Sequence, residues 1–113
     1  MRKVQGSPQP LGVTIKDGRV NFALSVPAGK VCELLLYRIG EDEPAQVYPM
    51  DARDAAGEVR FLAVEGLDAA QYEYNYRVDK KVRIDPYVKE ITGHKVFGQK
   101  VNLDSHKVRG RIS

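Results

Sequence analysis

Short apolar stretches with a period of two run through most of this chain, and turn residues close each of them. The clearest example is residues 72–78, and the side chains on one face of that strand are Tyr72, Tyr74, Tyr76 and Val78. No window of a dozen residues carries an apolar stripe of helical spacing. The pattern therefore predicts strands throughout and excludes a fold built on helices.

About seven short strands are predicted, at residues 13–15, 20–26, 31–37, 45–50, 59–64, 72–78 and 82–84. The first two flank a polar turn in which Gly18 can adopt the positive φ of a tight hairpin. After Tyr87 the alternation decays. We therefore predict an all-β fold: an immunoglobulin-like antiparallel β-sandwich over residues 1–87, followed by an extended linker over residues 88–113 that leads toward an absent catalytic domain.

Length and composition limit the classes of function that this chain can have. A chain of 113 residues, 42% hydrophobic and 29% charged, makes one globular domain and is too short for a barrel enzyme of about 250 residues. So small a core leaves little room for a deep catalytic pocket. A binding or accessory role is therefore favoured over catalysis.

The charge of the chain is unevenly distributed. The net charge is +3, and the basic excess lies in residues 88–113, whose lysines and arginines are spread out without an aromatic platform. Nucleic-acid binding is not indicated. The single cysteine, the polar start of the chain and the lack of an apolar run of about 20 residues predict a cytoplasmic protein with no membrane contact.

Catalytic and metal-binding patterns are weak. Asp104, Ser105 and His106 have the residue types of a catalytic triad, but consecutive residues point in different directions, so a polar loop is the better interpretation. His94 and His106 lack the ligand spacing of a zinc site, and Cys32 alternates with leucines as a core residue does. We predict no catalytic residue, no metal and no cofactor.

Two strands allow alternative interpretations. The tyrosine row of residues 72–76 is typical of the inner face of a sandwich, but exposed rings could instead stack on sugars. Residues 31–37 are apolar on both faces, with Val31, Leu35 and Tyr37 opposite the Cys32 face. That strand is either covered twice within the chain or half covered by an absent partner.

Five spaced motifs occur in order within residues 6–98, at residues 6–13 (GSPQPLGV), 18–28 (GRVNFALSVPA), 31–37 (VCELLLY), 74–78 (YNYRV) and 85–89 (DPYVK). Their order resembles the N-terminal domain of glycogen-debranching enzymes, isoamylases and type I pullulanases. The resemblance implies a β-sandwich of carbohydrate-binding module family 48, which precedes the (β/α)8 barrel of glycoside hydrolase family 13. In that family the catalytic residues come from the barrel, so this chain alone is expected not to be an enzyme.

The resemblance also implies where glucan could bind. Family members that bind glycogen use tryptophans and a lysine around the Asp-Pro motif, and these positions fall near Val82 and Asn75 in this chain. Tryptophan is absent from the sequence. The resemblance therefore implies α-glucan binding that is weak at most, with the residue set Tyr72, Tyr74, Tyr76, Asn75 and Val82.

The resemblance thus implies a non-catalytic N-terminal accessory domain, excised from a debranching glycoside hydrolase that acts on α-1,6 branch points. Its partner would be the catalytic barrel, and the residues expected to pack on it are Val31, Leu35, Tyr37, Asp85, Pro86 and Tyr87. Two alternatives remain open: an autonomous glycogen- or starch-binding module, and a general protein-interaction sandwich.

Overall fold

The structure, a computed structural model, describes residues 1–92 and 108–113. These residues form eleven strands and one short 3₁₀ turn at Ala52–Asp54, with no α-helix. The strands are β1 (Arg2–Val4), β2 (Gly12–Lys16), β3 (Arg19–Ser25), β4 (Cys32–Arg38), β5 (Gln46–Pro49), β6 (Ala55–Ala56), β7 (Val59–Glu65), β8 (Tyr72–Val78), β9 (Lys81–Arg83), β10 (Ile91–Thr92) and β11 (Arg109–Arg111). No helix in the described part of the chain has the length and apolar character needed to cross a membrane.

The strands form two antiparallel sheets. The five-stranded sheet has the order β1-β7-β3-β2, with β6 also paired to β7. The six-stranded sheet has the order β10-β11-β8-β4-β5, with β9 also paired to β8. The predicted all-β sandwich is confirmed.

Two tight hairpins set the register at one side of each sheet. Asp17 and Gly18 connect β2 to β3 with φ values of 53° and 75°, as the alternation on either side of Gly18 predicts. Asp79 and Lys80 connect β8 to β9 with φ values of 49° and 70°. Two successive positive φ angles characterise the hairpin turn whose twist matches that of its strands.

The core lies between the inner faces of the sheets. Phe22 and Leu62 face inward from the five-stranded sheet, and Leu34, Tyr74 and Tyr76 face them from the six-stranded sheet, all 1% exposed or less. The Tyr74 ring centroid lies 5.3 Å from that of Phe22 and 5.7 Å from that of Tyr76, both in edge-to-face geometry. Edge-to-face pairs add to the stabilisation that burial of the rings provides.

Four strands were not predicted: β1, β6, β10 and β11. Each has only two or three residues, too few to show an alternation in the sequence, and each is ordered by a longer neighbour. The last predicted strand is shifted, since β9 covers Lys81–Arg83. Because β10 and β11 belong to the six-stranded sheet, the sandwich extends beyond residue 87, which corrects the interpretation of residues 88–113 as linker throughout. His94 and the Asp104-Ser105-His106 sequence lie outside the described residues.

A buried face beneath the C-terminal strand

The strand register divides the residues expected to bind glucan between two faces. Tyr72, Tyr74 and Tyr76 alternate with Glu73, Asn75 and Arg77 along β8, so the two sets point to opposite sides of the sheet. Val82 of β9 is paired with Arg77 and therefore lies on the outer face with Asn75. The five residues do not form one surface.

The tyrosine row is part of the core, which corrects its interpretation as a carbohydrate platform. Tyr72, Tyr74 and Tyr76 are 8%, 1% and 0% exposed. Stacking on a sugar requires an exposed ring face, and none of these three rings presents one to solvent. The inner-face interpretation of the row agrees with the structure.

The outer face of β4 is covered within the chain. Leu35 and Tyr37 are 1% and 2% exposed, whereas Val31, which precedes the strand, is 65% exposed. No absent partner is needed to cover Leu35 and Tyr37, and neither presents surface to another domain. Val31, Pro86 and Tyr87 are the exposed members of the set expected to pack on a barrel.

Arg109, at the start of β11, covers Tyr37. Its guanidinium carbon lies 3.8 Å from the centre of the Tyr37 ring, the geometry of a cation-π contact. The same guanidinium donates to the carbonyl oxygens of Glu41 at 2.6 Å and Asp42 at 3.3 Å, and it lies 3.7 Å from the Glu73 carboxylate. A side chain that is only 6% exposed thereby has several partners for its charge.

Two further contacts hold the C-terminal segment on the sheet. The Asn75 side-chain amide donates to the Val108 carbonyl at 3.0 Å, and the Arg111 amide donates to the Glu90 carbonyl at 2.9 Å. Gly110 packs so closely that a Cβ there would lie 2.8 Å from both the Tyr74 ring and the Val88 side chain. Only glycine fits between these neighbours without a shift of one of them.

Sequence reasoning missed this contact set. Arg109 and Gly110 lie in a short basic run, Arg-Gly-Arg, that has neither alternation nor turn chemistry to mark a strand. The one available signal was the apolar outer face of β4, which indicated that something covers it. What covers it could be found only from the tertiary structure.

Charged side chains on the outer face of the six-stranded sheet have neighbours that compensate their charge. Arg77 donates to Glu33 at 2.7 Å, and this bond raises the pKa of the Arg77 guanidinium. Burial raises the pKa of the Tyr37 hydroxyl, and the nearby positive charges of Arg109 and Arg77 oppose that rise. Tyr37 is therefore neutral at physiological pH and serves as an aromatic surface for Arg109.

Asp85, expected at a domain contact, is instead an internal anchor. It is 1% exposed. Its carboxylate accepts a hydrogen bond from the Tyr74 hydroxyl at 2.6 Å and another from the Tyr87 amide at 2.9 Å. Asp85 thereby fixes the turn that presents Pro86 and the half-exposed Tyr87 to solvent.

The described residues include neither a metal-binding cluster nor a reactive thiol. Within the described residues there is no group of three or more histidine, cysteine or acidic side chains placed to hold a metal ion. Burial raises the pKa of the Cys32 thiol to about 11, so this thiol is protonated at neutral pH. The interactions described above hold β11 against β8 and the outer face of β4.

The fold is that of an immunoglobulin-like β-sandwich domain. Comparison with known proteins shows which enzymes contain a similar region. No protein-family model matches the chain. It is 36% identical, over 82% of its length, to isoamylase 3 of rice (Oryza sativa subsp. japonica), a chloroplastic protein, and it spans 14% of that relative's length.

Solved structures agree with the sequence match. The pullulanase of Paenibacillus barengoltzii in complex with maltotriose is 25% identical, with a TM-score of 0.60 over 72% of this chain and 13% of the pullulanase. The GBS pullulanase SAP in complex with maltotetraose shares the fold, with a TM-score of 0.72 over 92% of this chain and 14% of that one at 18% identity. In sequence and in fold the chain is similar to the N-terminal β-sandwich regions of isoamylases and pullulanases.

Proposed function

We propose that this chain is a non-catalytic accessory domain of an α-glucan debranching glycoside hydrolase, and that it packs on the catalytic barrel and stabilises it. The observation that carries the proposal is the 36% identity to an isoamylase over 82% of this chain, which corresponds to 14% of that enzyme. A match confined to so small a share fits one domain of a larger enzyme. The parent enzyme would act on α-1,6 branch points.

The position of β11 supports a positioning role. This last described strand of the sandwich is held in place by the Arg109 contacts with Tyr37, Glu41 and Asp42. A connector fixed in this way gives the next domain a defined starting point, because the last strand cannot swing away without breaking buried contacts.

The surface that would meet a barrel includes the exposed members of the predicted set. Val31 is 65% exposed and Tyr87 is 52% exposed. Burial of either side chain against a partner would remove apolar surface from water and favour the contact. We infer that Val31 and Tyr87 contact the barrel, while the buried Leu35, Tyr37 and Asp85 support the fold beneath it.

A domain exchange tests the packing. This chain would replace the matching region of the Paenibacillus barengoltzii pullulanase, and the thermal midpoint and pullulan hydrolysis of the chimera would be compared with those of a deletion variant. We expect the chimera to be more stable than the deletion. We also expect Tyr87→Asp to lower the midpoint of the chimera and to leave that of the isolated chain unchanged. A chimera no more stable than the deletion contradicts the proposal.

Weak α-glucan binding is a separate part of the proposal, supported by the relatives solved in complex with maltotriose and maltotetraose. An amide NMR titration of the chain with maltoheptaose tests it. Saturable shifts around Val82 and Arg77 on the outer face would support glucan binding there. An unmoved spectrum would reject it and leave the packing role intact.

A further inference from the structure

A groove opens at one end of the sandwich, at the seam between the two sheets. It has a volume of about 620 Å³, within the range of small-molecule sites. Its apolar floor is formed by Leu24, Val26, Tyr76, Val78, Ile84 and Pro86. We call this feature the seam groove.

The strand register explains why the seam is open here. The pairing of β2 with β3 ends at Ala23, so Leu24 and Ser25 continue β3 past the end of β2. On the opposite sheet β9 pairs with β8 alone among the described strands. The apolar interior is therefore accessible between two strand edges.

The mouth of the groove is basic. Lys30, Lys81 and Arg83 line it, and the exposed Lys80 lies beside Lys81 in the hairpin turn. Among the described residues, Asp79 is the one acidic residue lining the groove, and its carboxylate pairs with Lys30 at 2.9 Å and accepts from the Val31 amide at 3.0 Å. Lys80 and Lys81 therefore add positive charge beyond the Lys30–Asp79 pair, and this charge favours an anion.

The turn that carries this charge is built at a conformational cost. Lys80 has a φ of 70°, a left-handed conformation in which glycine or asparagine is normally found. Asp79 braces the turn, since its own amide also donates to the Val31 carbonyl at 2.8 Å. A lysine is thus held beside the groove where glycine would suit the backbone better.

The floor contains a polar group that lacks a partner. The Tyr76 side chain is fully buried, and within the described structure its hydroxyl has no hydrogen-bond partner. Burial raises the pKa of this hydroxyl well above its ordinary value, so it remains a potential donor at every physiological pH. An unpaired buried hydroxyl destabilises the protein, and a ligand atom that reached it would remove that penalty.

We propose that the seam groove binds a small organic anion with a carboxylate or phosphate at one end, an apolar body, and a second polar atom at the other end. The anionic end lies against Lys80 and Lys81, the body covers the aliphatic floor, and the distal polar atom accepts a hydrogen bond from Tyr76. Because Lys81 and Arg83 alternate with Val82 along β9, this site is on the opposite side of the sheet from the outer face and does not depend on the proposed function.

Amide NMR titrations of the chain test the proposal with three probes of equal carbon length: 6-hydroxyhexanoate, 6-hydroxyhexyl phosphate and neutral 1,6-hexanediol. We expect localised, saturable shifts at Leu24, Val78 and Ile84 with at least one of the anions, and binding of the diol that is weaker by about tenfold. The two anions distinguish a carboxylate ligand from a phosphate ligand. Equal binding of the diol, or no saturable shift with either anion up to about 10 mM, overturns the proposal.

Substitutions separate the two ends of the site. The double substitution Lys80→Gly and Lys81→Gln removes both positive charges, and glycine readily adopts the positive φ of residue 80. We expect this variant to bind the anion about tenfold more weakly. Lys16→Gln, an exposed change in the other hairpin, is the matched control and should leave binding unchanged. Tyr76→Phe should weaken binding several-fold and leave the fold as stable as before or more so. An affinity unchanged by the lysine substitutions contradicts the assigned rim, and one unchanged by Tyr76→Phe contradicts the assigned floor.

Discussion

The hydrogen bond between Tyr74 and Asp85 shows how one residue can serve the core and a turn together. The Tyr74 ring packs on Phe22 in the core, while its hydroxyl is bonded at 2.6 Å to a carboxylate that also receives the Tyr87 amide. Burial and the neighbouring Asp85 carboxylate both raise the pKa of Tyr74. The tyrosine is therefore a neutral donor to a buried acid, and the pair fixes the exit of the chain from β9.

Tyr74→Phe should lower the free energy of unfolding by about 1.5 to 3 kcal/mol, because the buried Asp85 carboxylate loses a donor while the ring packing is kept. Urea unfolding measures the change. Tyr87→Phe, at a half-exposed ring, is the control and should stay within about 0.5 kcal/mol of the parent. Equal effects of the two substitutions would show that the Asp85 bond does not stabilise the fold.

Cys32 gives the stability a dependence on alkaline pH. Its pKa is raised by burial from 9.0 to about 11 in the folded state. Below pH 9 the thiol is protonated in both states and its contribution is intact; above that pH the unfolded chain loses the proton first. Stability should therefore fall by about 1 to 3 kcal/mol between pH 9 and 11 from this group. Urea titrations across this range should show a smaller fall in Cys32→Ala, and an identical fall would refute the assignment.

At the scale of the strand, β4 shows what alternation can and cannot predict. Its two apolar faces correctly indicated a strand with unusual cover. They could not indicate that Arg109, far away in sequence, supplies part of that cover, because a cation-π contact leaves no periodic signature. The long strands β3, β7 and β8 were predictable since each carries its own alternation.

Leu35→Asp in β4 and Val31→Asp just before β4 introduce the same carboxylate at a buried and at an exposed position. Leu35 is 1% exposed and Val31 is 65% exposed. An unpaired carboxylate at the buried position should cost at least about 3 kcal/mol, whereas the exposed position should tolerate it within about 0.5 kcal/mol. Thermal unfolding of the two isolated variants gives the comparison. A stable Leu35→Asp variant would mean that the outer face is open after all.

The attachment of β11 depends on Gly110. A methyl group there would lie 2.8 Å from Tyr74 and Val88, so Gly110→Ala should displace the strand from β8. In this variant, hydrogen exchange of the backbone amides at positions 110 and 111 should accelerate strongly, while exchange in β3 and β7 stays slow. Arg111→Ala, at an exposed side chain, serves as the control. Unchanged exchange in Gly110→Ala would show that the Tyr74 ring and the Val88 side chain can shift to accommodate the methyl group.

At the scale of the whole molecule, the two sheets share one core and should unfold together. The tyrosines of the core and the outer face all lie in the six-stranded sheet, whereas Leu62 lies in the five-stranded sheet. Leu62→Ala should cost about 2 to 5 kcal/mol. Tyrosine fluorescence and far-ultraviolet circular dichroism should report the same lowered midpoint. Separate transitions would indicate that the sheets unfold independently.

The sandwich as a whole was predictable because alternation, turn residues and the motif order of residues 6–98 all indicate the same fold. The distribution of site residues was harder to predict. Alternation shows that Asn75 and Tyr76 face opposite ways, but not which way is inward, since both sides of β8 are buried. Inside and outside are decided by the opposite sheet and by β11, which only the tertiary structure shows.

The close fit of Gly110 has a consequence for comparing relatives of this domain. A single methyl group here would lie 2.8 Å from the Tyr74 ring and from Val88, so the residue at this position indicates whether a relative can keep β11 beside β8. Sequences with glycine here can keep the strand that Arg109 holds on Tyr37, whereas a larger side chain requires β11 or its neighbours to shift. One column of an alignment would then separate relatives that can keep β11 beside β8 from those that cannot.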